Sequence, residues 1–295
     1  MSETPESLRR KISSAGDLQS VVRTMKALAA SSIGQYEKSV RALADYYRTV
    51  ELGLGACLRE IAPTASTGDG KAPTSGAANA IVFGSDQGLV GQFNDVVADY
   101  AIQTLSGFTG QTQVWAVGER VHARLADAGL RPVGLFTVPN SVQAISPLVG
   151  RIQVDIEAHR ASRDNTAVWV FHNRPVSGAV YEPIGQRLLP LDAKWRQDLV
   201  HGPWPTGSLP EVMGDAIATL RALIREYLFI SLFRACAESL ASENSSRLAA
   251  MERADKNIND LLEQLHAASH QLRQRGIDEE LFDVISGFEA LVGTR

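Results

Sequence analysis

The stretch from Asn79 to Asn94, NAIVFGSDQGLVGQFN, holds the residues whose types and spacing come nearest to a chemical site. An apolar run, Ala80 to Phe83, passes into a loop with Gly84, Gly88 and Gly91 and then toward a helix beginning near Gln92. Phosphate-binding loops begin this way, because close glycine backbones and free N–H groups at a helix start can cradle an anion. The spacing argues against that use. Dinucleotide folds need G-x-G-x-x-G and P-loops need G-x-x-x-x-G-K-[ST]; GSDQGLVGQ has neither spacing and no lysine, and Asp86 places negative charge where a phosphate would sit. A tight turn that aims a surface loop accounts for the glycines instead.

Other reactive side chains are no better arranged. His266 and His270 stand at i and i+4, as helical metal ligands do, but AAS separates them, without the glutamate of a zinc protease. They read as solvated helix surface. Ser85 beside Asp86, and Ser286 beside Gly287, form no G-x-S-x-G elbow. Cys57 and Cys236 lie far apart without C-x-x-C spacing and read as reduced, buried thiols. No catalytic residue, cofactor site or metal site is expected.

The elements that surround this loop are of two kinds. From Leu8 to Ile61 the apolar residues follow steps of three and four, through Val22, Met25, Ile33, Tyr36, Val40, Tyr47, Val50 and Leu54. Such a stripe predicts one long helix, 1–61, with doubtful points at Gly34, Gly53 and Gly55. Pro63 and TASTGDGKAPTSGAA predict a flexible linker over 62–78. At the other end, Ser208 with Glu211 reads as a capping box with Pro210 in the first turn, opening a helical segment 208–295. Its seam runs through Leu220, Ile224, Tyr227, Phe233, Ala237, Leu248, Met251, Ile258 and Leu265. A helix of about 80 residues would be roughly 120 Å long.

Two long helices with single seams are expected to pair as an antiparallel coiled coil, with the small residues of ALAASS and ACAESLASENSSRLAA allowing close approach. Between them, over 79–207, AIVFGS, TQVWAVG, PVGLFTVP and AVWVFHN alternate with segments able to hold helices, and AVYEPIGQRLLPL suggests an antiparallel closing pair. This predicts a central Rossmann-like α/β domain with a mostly parallel sheet. The fold class is therefore α/β, a coiled coil from both termini plus that domain. The carboxy-terminal helix outlasts its partner by about 25 residues, ~40 Å, and carries Leu281, Phe282, Val284, Ile285, Phe288, Leu291 and Val292. An apolar tip of this kind is expected to bind something.

Composition sets the outer limits. With 295 residues, 44% of them hydrophobic, the chain can bury a real core. A net charge of -4 gives no electrostatic case for nucleic acid or an anionic membrane. MSETPESLRR has neither a secretory apolar core nor the character of a presequence, and no run reaches the ~20 apolar residues of a bilayer span. A soluble, cytoplasmic chain is expected.

The pattern resembles the gamma subunit of the rotary F-type ATP synthases. ASENSSRLAAM, Ala241 to Met251, is similar to the family's A-S-E-N-x-x-R-M-x-A-M, and RQRGIDEELFDVISGFEAL, Arg273 to Leu291, to its R-Q-x-x-I-T-x-E-L-x-E-I-[IV]-S-G-A-A-A. TMKALAAS, Thr24 to Ser31, resembles A-M-x-M-V-A-A-S, and GSDQGLVGQFN resembles S-S-D-[RK]-G-L-C-G-x-[LF]-N. The chain departs from the pattern at SIGQYEKS, where the family has basic residues, at Asp278 in place of threonine, and at Phe288 and Glu289 in place of small residues. These departures suggest a divergent branch, the alternate sodium-translocating N-type ATPases.

The resemblance implies a central stalk that transmits torque and performs no catalysis itself. Its partners would be the alpha and beta subunits of the catalytic ring, the epsilon subunit and the membrane rotor ring of c subunits. The stalk would sit peripherally on the cytoplasmic face of the inner (plasma) membrane and touch that membrane only through the complex. It also implies that Arg247, Arg273 and Gln274 contact the catalytic ring, with Glu243 and Met25 nearby, and that Leu281, Phe282, Val284, Ile285, Phe288 and Leu291 turn as an apolar bearing. From the residues alone two rival readings stay open, a nucleotide-binding α/β enzyme and an unrelated coiled-coil tether.

Overall fold

Steps of three and four in the apolar residues produce helices at both ends of the chain, and β-branched runs produce strands between them. The computed structural model describes residues 4–61, 76–160, 166–177, 180–208 and 210–292. Most of the expected linker, 62–75, lies outside the described residues. Helix α1 covers Pro5–Ala42 and α2 Ala44–Ile61. The single expected helix is thus interrupted at Leu43, whose N–H is shared between the carbonyls of Ser39 and Val40 at 3.3 Å each. The glycines marked as doubtful all lie inside helix.

The central segment gives β1 (Ala78–Phe83), α3 (Phe93–Leu105), β2 (Thr112–Val117), α4 (Glu119–Asp127), β3 (Gly134–Phe136), α5 (Ile145–Arg160), β4 (Ala167–Ser177), β5 (Val180–Leu189) and α6 (Ala193–His201). The strands form one sheet in the order β3-β2-β1-β4-β5. Four run parallel and β5 pairs antiparallel with β4. Alternation along β1 divides the core in two. Ala78, Ala80 and Val82 face Val97, Ala98, Ala101, Val121 and Leu125 of α3 and α4. Ile81 and Phe83 face Ile145, Leu148 and Ile152 of α5 on the other side.

Helix α7 runs unbroken from Ala216 to Val292. It does not start at the Ser208–Glu211 capping box. Gly214, at φ +83°, turns the chain where a helix could not continue, and the Asp215 carboxylate then accepts the Ile217 N–H at 2.9 Å.

The chain divides into two compact units. One, Ala29–Arg247, contains the sheet, the end of α1, all of α2 and α6, and the first part of α7. Here α7 completes the layer beside α5, with Leu232, Phe233, Cys236, Ala237, Leu240 and Ala241 in the same core as Ile81, Phe83 and Tyr36. Every residue from Ala235 to Glu243 is buried. A helix buried on all sides needs small side chains, which explains the Ala and Ser run: it serves contact with the sheet as well as with α1. Nearer the start of α7, Tyr227 and Ile230 pack on Val50 and Leu54 of α2, with Trp195 and Leu199 of α6 alongside.

The other unit, Met1–Leu28 with Leu248–Arg295, is an antiparallel helix pair. Val22 is buried against Met251 and Ile258, and Met25, Ala250, Ala254 and Leu262 flank them. Gln19 donates to Asn259, Arg23 pairs with Asp255 at 3.3 Å and Lys26 with Glu252 at 3.6 Å, so each step up one helix is matched by a step down the other. These pairs are exposed and fix register more than they stabilise. By this register Pro5 falls opposite Arg273, leaving roughly 19 residues of α7, about 29 Å, beyond the start of α1.

Candidate functional site

The glycine loop closes around its own side chains. Asn94, in the first turn of α3, accepts the Ser85 N–H at 2.9 Å and donates to Ser85 Oγ at 2.8 Å. A Cβ on Gly84 would lie 2.4 Å from Val121 Cβ, so this glycine is required for α4 to pack on the loop. Asp86 reaches across the carboxyl ends of the strands. One oxygen accepts the N–H of Glu119, the first residue of α4, at 3.0 Å, and the other accepts the Val138 N–H at 2.9 Å. A carboxylate of the chain itself thus occupies the helix start where a phosphate would bind. Leu89, at the loop tip, is exposed and held at φ +63°, a strained conformation for a bulky residue.

Helix α7 meets this loop from the other side. Ser246 Oγ donates to the Val90 carbonyl at 2.6 Å, and Ser242 Oγ to the Asn173 carbonyl of β4 at 3.0 Å. Strand order reverses between β1 and β4, and the carboxyl ends of strands at such a point are where open α/β sheets take ligands. Here α7 is bonded to that region.

Glu243 lies between the two serines, 5% exposed. Its Oε1 accepts from Arg247 Nη2 at 2.6 Å, while Oε2 is buried without a hydrogen-bond partner among the described residues. Burial pushes this carboxyl above its ordinary range, and the Arg247 guanidinium opposes the rise. Both residues line a cavity of about 230 Å³ with Tyr36, Asp86 and Asn140.

A second buried polar cluster escaped sequence reasoning. His172 Nε2 meets Glu238 Oε2 at 2.8 Å, and Arg234 Nε donates to Glu238 Oε1 at 2.7 Å. Burial holds His172 below its usual range and therefore neutral, which places its proton on Nε2 toward the carboxylate. Burial alone would raise Glu238, but the hydrogen bonds from His172 and Arg234 outweigh it, and its carboxyl lies below the usual range. The i, i+4 spacing of Arg234 and Glu238 was visible in the sequence; the strand histidine opposite them carried no signal.

The remaining expected residues lie in the helix-pair unit. Met25 is half-buried beside Val22. Arg273 and Gln274 are exposed neighbours on α7. Leu281, Phe282, Val284 and Ile285 are 58%, 68%, 70% and 45% exposed. Phe288 and Leu291 lie on the same helix, with side chains outside the described residues. The structure therefore brings Glu243 and Arg247 together, and Arg273 with Gln274, in different units. His266 and His270 are both exposed, and no group of three metal-ligating side chains occurs among the described residues. Nor is any helix among them long and apolar enough to cross a membrane.

Known proteins share this arrangement. The chain has the fold of a chain in the Euglena gracilis mitochondrial ATP synthase, with a TM-score of 0.68 at 16% identity, covering 99% of this chain and 96% of that one. It also matches a chain from the Tetrahymena thermophila mitochondrial ATP synthase central stalk and c-ring, with a TM-score of 0.56 at 18% identity over 79% of this chain and 99% of that one. In sequence it is 25% identical over 296 residues to the ATP synthase gamma chain of Dechloromonas aromatica, covering 96% of this chain and 98% of that protein. It is 27% identical over 289 residues to the ATP synthase gamma chain of Acidovorax, with the same coverage. The family model described as ATP synthase matches residues 4–291, and over that length the chain belongs to the ATP synthase family whose members include these gamma chains.

Proposed function

We propose that the chain is the central-stalk rotor of an F-type ATP synthase or ATPase, carrying torque between a catalytic ring of alpha and beta subunits and a membrane ring of c subunits, with an epsilon subunit on the stalk. It performs no chemistry itself, and it lies on the cytoplasmic face of the membrane through the complex alone. The observation that carries the reading is α7. This one helix of 77 residues is packed as a layer of the sheet domain at its start and presents an apolar segment to solvent near its end. A continuous helix of this length is an element suited to carrying torque.

In this reading Arg273 and Gln274 are polar catches for the catalytic ring. Arg247 and Met25 are further contacts, and Glu243 acts through Arg247 by holding its guanidinium. The segment Leu281 to Leu291 is the apolar bearing. A surface that slides past several subunits needs few, polar, replaceable bonds, each worth about 1.5–3 kcal/mol when charged.

Co-expression with the alpha and beta subunits tests the proposal. The expected result is a complex whose ATP hydrolysis drives rotation of a bead on this chain. An assembled ring that hydrolyses ATP equally well without the chain, or that leaves the bead still, overturns it.

A further inference from the structure

We propose that Ser242 and Ser246 are the rotational lock between the shaft helix and the sheet domain, the pair of directional bonds that fixes the domain's angle about α7; the inference rests on the rotor reading above. The two hydroxyls stand at i and i+4, one turn apart on one face of the helix. They reach two separate parts of the domain: Ser242 donates to Asn173 in β4, and Ser246 to Val90 in the loop after β1. Asn173 in turn donates through Nδ2 to the Phe93 carbonyl at 2.8 Å, tying the strand to the start of α3 and so to the same loop. All five residues are buried.

The acceptor in β4 is left free by the sheet. The Ala167 N–H bonds the Ala77 carbonyl, so the odd residues of β4, Asn173 among them, turn their backbone groups toward β1 and not toward β5. β1 stops pairing with β4 at Phe171. The Asn173 carbonyl lies beyond that last pair, and among the described residues the Ser242 hydroxyl takes the place of a strand donor. A pair of hydroxyls that only needed satisfaction could have bonded back to carbonyls of their own helix, as Thr219 does to Asp215. These two reach outward.

Direction is what a rotor joint needs. Apolar burial around Leu232, Phe233 and Ala237 holds the helix against the sheet, but the hydrophobic effect has no directional preference. Hydrogen bonds weaken steeply as their angle opens, so two of them on separated anchors resist a turn of the helix within its packing. Torque applied to α7 then reaches the sheet domain through these anchors as well as through shape.

The test uses the assembled complex, with the catalytic ring fixed to a surface and a bead on the sheet domain through Lys194→Cys, an exposed site on α6. Angular fluctuation of the bead is recorded while the rotor waits for ATP, alongside hydrolysis and the thermal melt of the complex. In Ser242→Ala with Ser246→Ala we expect hydrolysis within about twofold of the parent and an angular variance roughly twofold wider, as when two directional bonds carry about half of the stiffness. Ser246→Ala alone should give an intermediate width, and it carries the test if the double variant does not assemble. Lost thermal stability with unchanged angular width overturns the proposal and makes the serines merely structural. A parent complex that does not turn its bead overturns the rotor reading instead.

Discussion

Glu243 and Arg247 are joined by a 2.6 Å hydrogen bond across one turn of α7, in a cavity that the helix shares with Asp86 of the sheet domain. The carboxylate is buried, so this partnership is demanding. Removing one member of a buried ion pair leaves an uncompensated charge, at a cost of about 3–5 kcal/mol. Arg247→Ala should destabilise the chain by that order at pH 7 in urea unfolding, and Glu243→Gln by clearly less. The sign with pH follows from the raised carboxyl. Its stability contribution is full below the unfolded-state value of 4.5 and is lost as pH rises through the folded value, so the Arg247→Ala defect should shrink on acidification toward pH 4.5.

His172 and Glu238 titrate with the opposite sense. Both folded values lie below the unfolded ones of 6.5 and 4.5, so their contribution is present above those values and lost as pH falls through the folded values. Unfolding free energy should therefore decline as pH drops below about 6.5, with one histidine proton contributing a slope of up to about 1.4 kcal/mol per pH unit. His172→Gln keeps a donor toward Glu238 and should flatten the upper part of that decline. An equally steep decline in the variant would assign it to other groups.

Arg273→Ala combined with Gln274→Ala should leave the complex assembled but lower ATP turnover or its coupling to ion pumping, while Lys194→Ala does neither. The loss of one charged hydrogen bond, about 1.5–3 kcal/mol, corresponds to a change of roughly 10- to 100-fold where that bond limits the step. Hydrolysis and pumping in reconstituted vesicles, with assembly checked by gel, supply the measurement. A double variant that hydrolyses and pumps like the parent would show that these residues are not the catch.

Exposure of Leu281, Phe282, Val284 and Ile285 predicts how the isolated chain behaves. Within the helices, limited trypsin should cut first beyond Leu265, at Arg273 or Arg275, where α7 passes the start of α1. Mass spectrometry of the early fragments checks this, with cuts at Lys71 in the expected linker counted apart. Earlier cuts within the helices or strands of Ala29–Arg247 would place the least stable segment elsewhere.

ATP and NAD should show no saturable binding to the chain at micromolar concentration by calorimetry, because Asp86 holds the α4 start that a phosphate would need. Binding abolished by Gly88→Val would revive the enzyme reading.

Much of this molecule was legible in the sequence, and what was not has a physical cause. Hydrophobic spacing found the helical ends, and β-branched runs found each strand of the described residues, including the antiparallel closing pair, because periodicity reports which side of an element is buried. The start of α7 was misplaced by eight residues, since Ser208 and Glu211 mimic a cap while a single left-handed glycine decided the boundary. Helix α6 is short and amphipathic only through Trp195 and Leu199, which pack on residues distant in sequence. At the candidate site, Arg273, Gln274 and the apolar tip were singled out by resemblance, and the structure shows Arg273, Gln274 and Leu281 to Ile285 as exposed positions on α7. The contacts of Ser242, Ser246 and His172 are made with residues 66 to 156 positions away, and no local pattern encodes such partners.

The wall that α7 supplies to the sheet domain bears on how this molecule can be taken apart and recombined. Residues 79–207 read as an insertion between two helices, yet Leu232, Phe233, Cys236, Ala237, Leu240 and Ala241 belong to their core. Cut out alone, that segment would lose one side of its interior to water. It is therefore not a transplantable module: a chimaera that exchanges the sheet domain between relatives must carry the matching stretch of helix with it. Substitutions in the two segments are then inherited as one compatibility group, although some 25 residues of chain separate the last strand from the first turn of that helix.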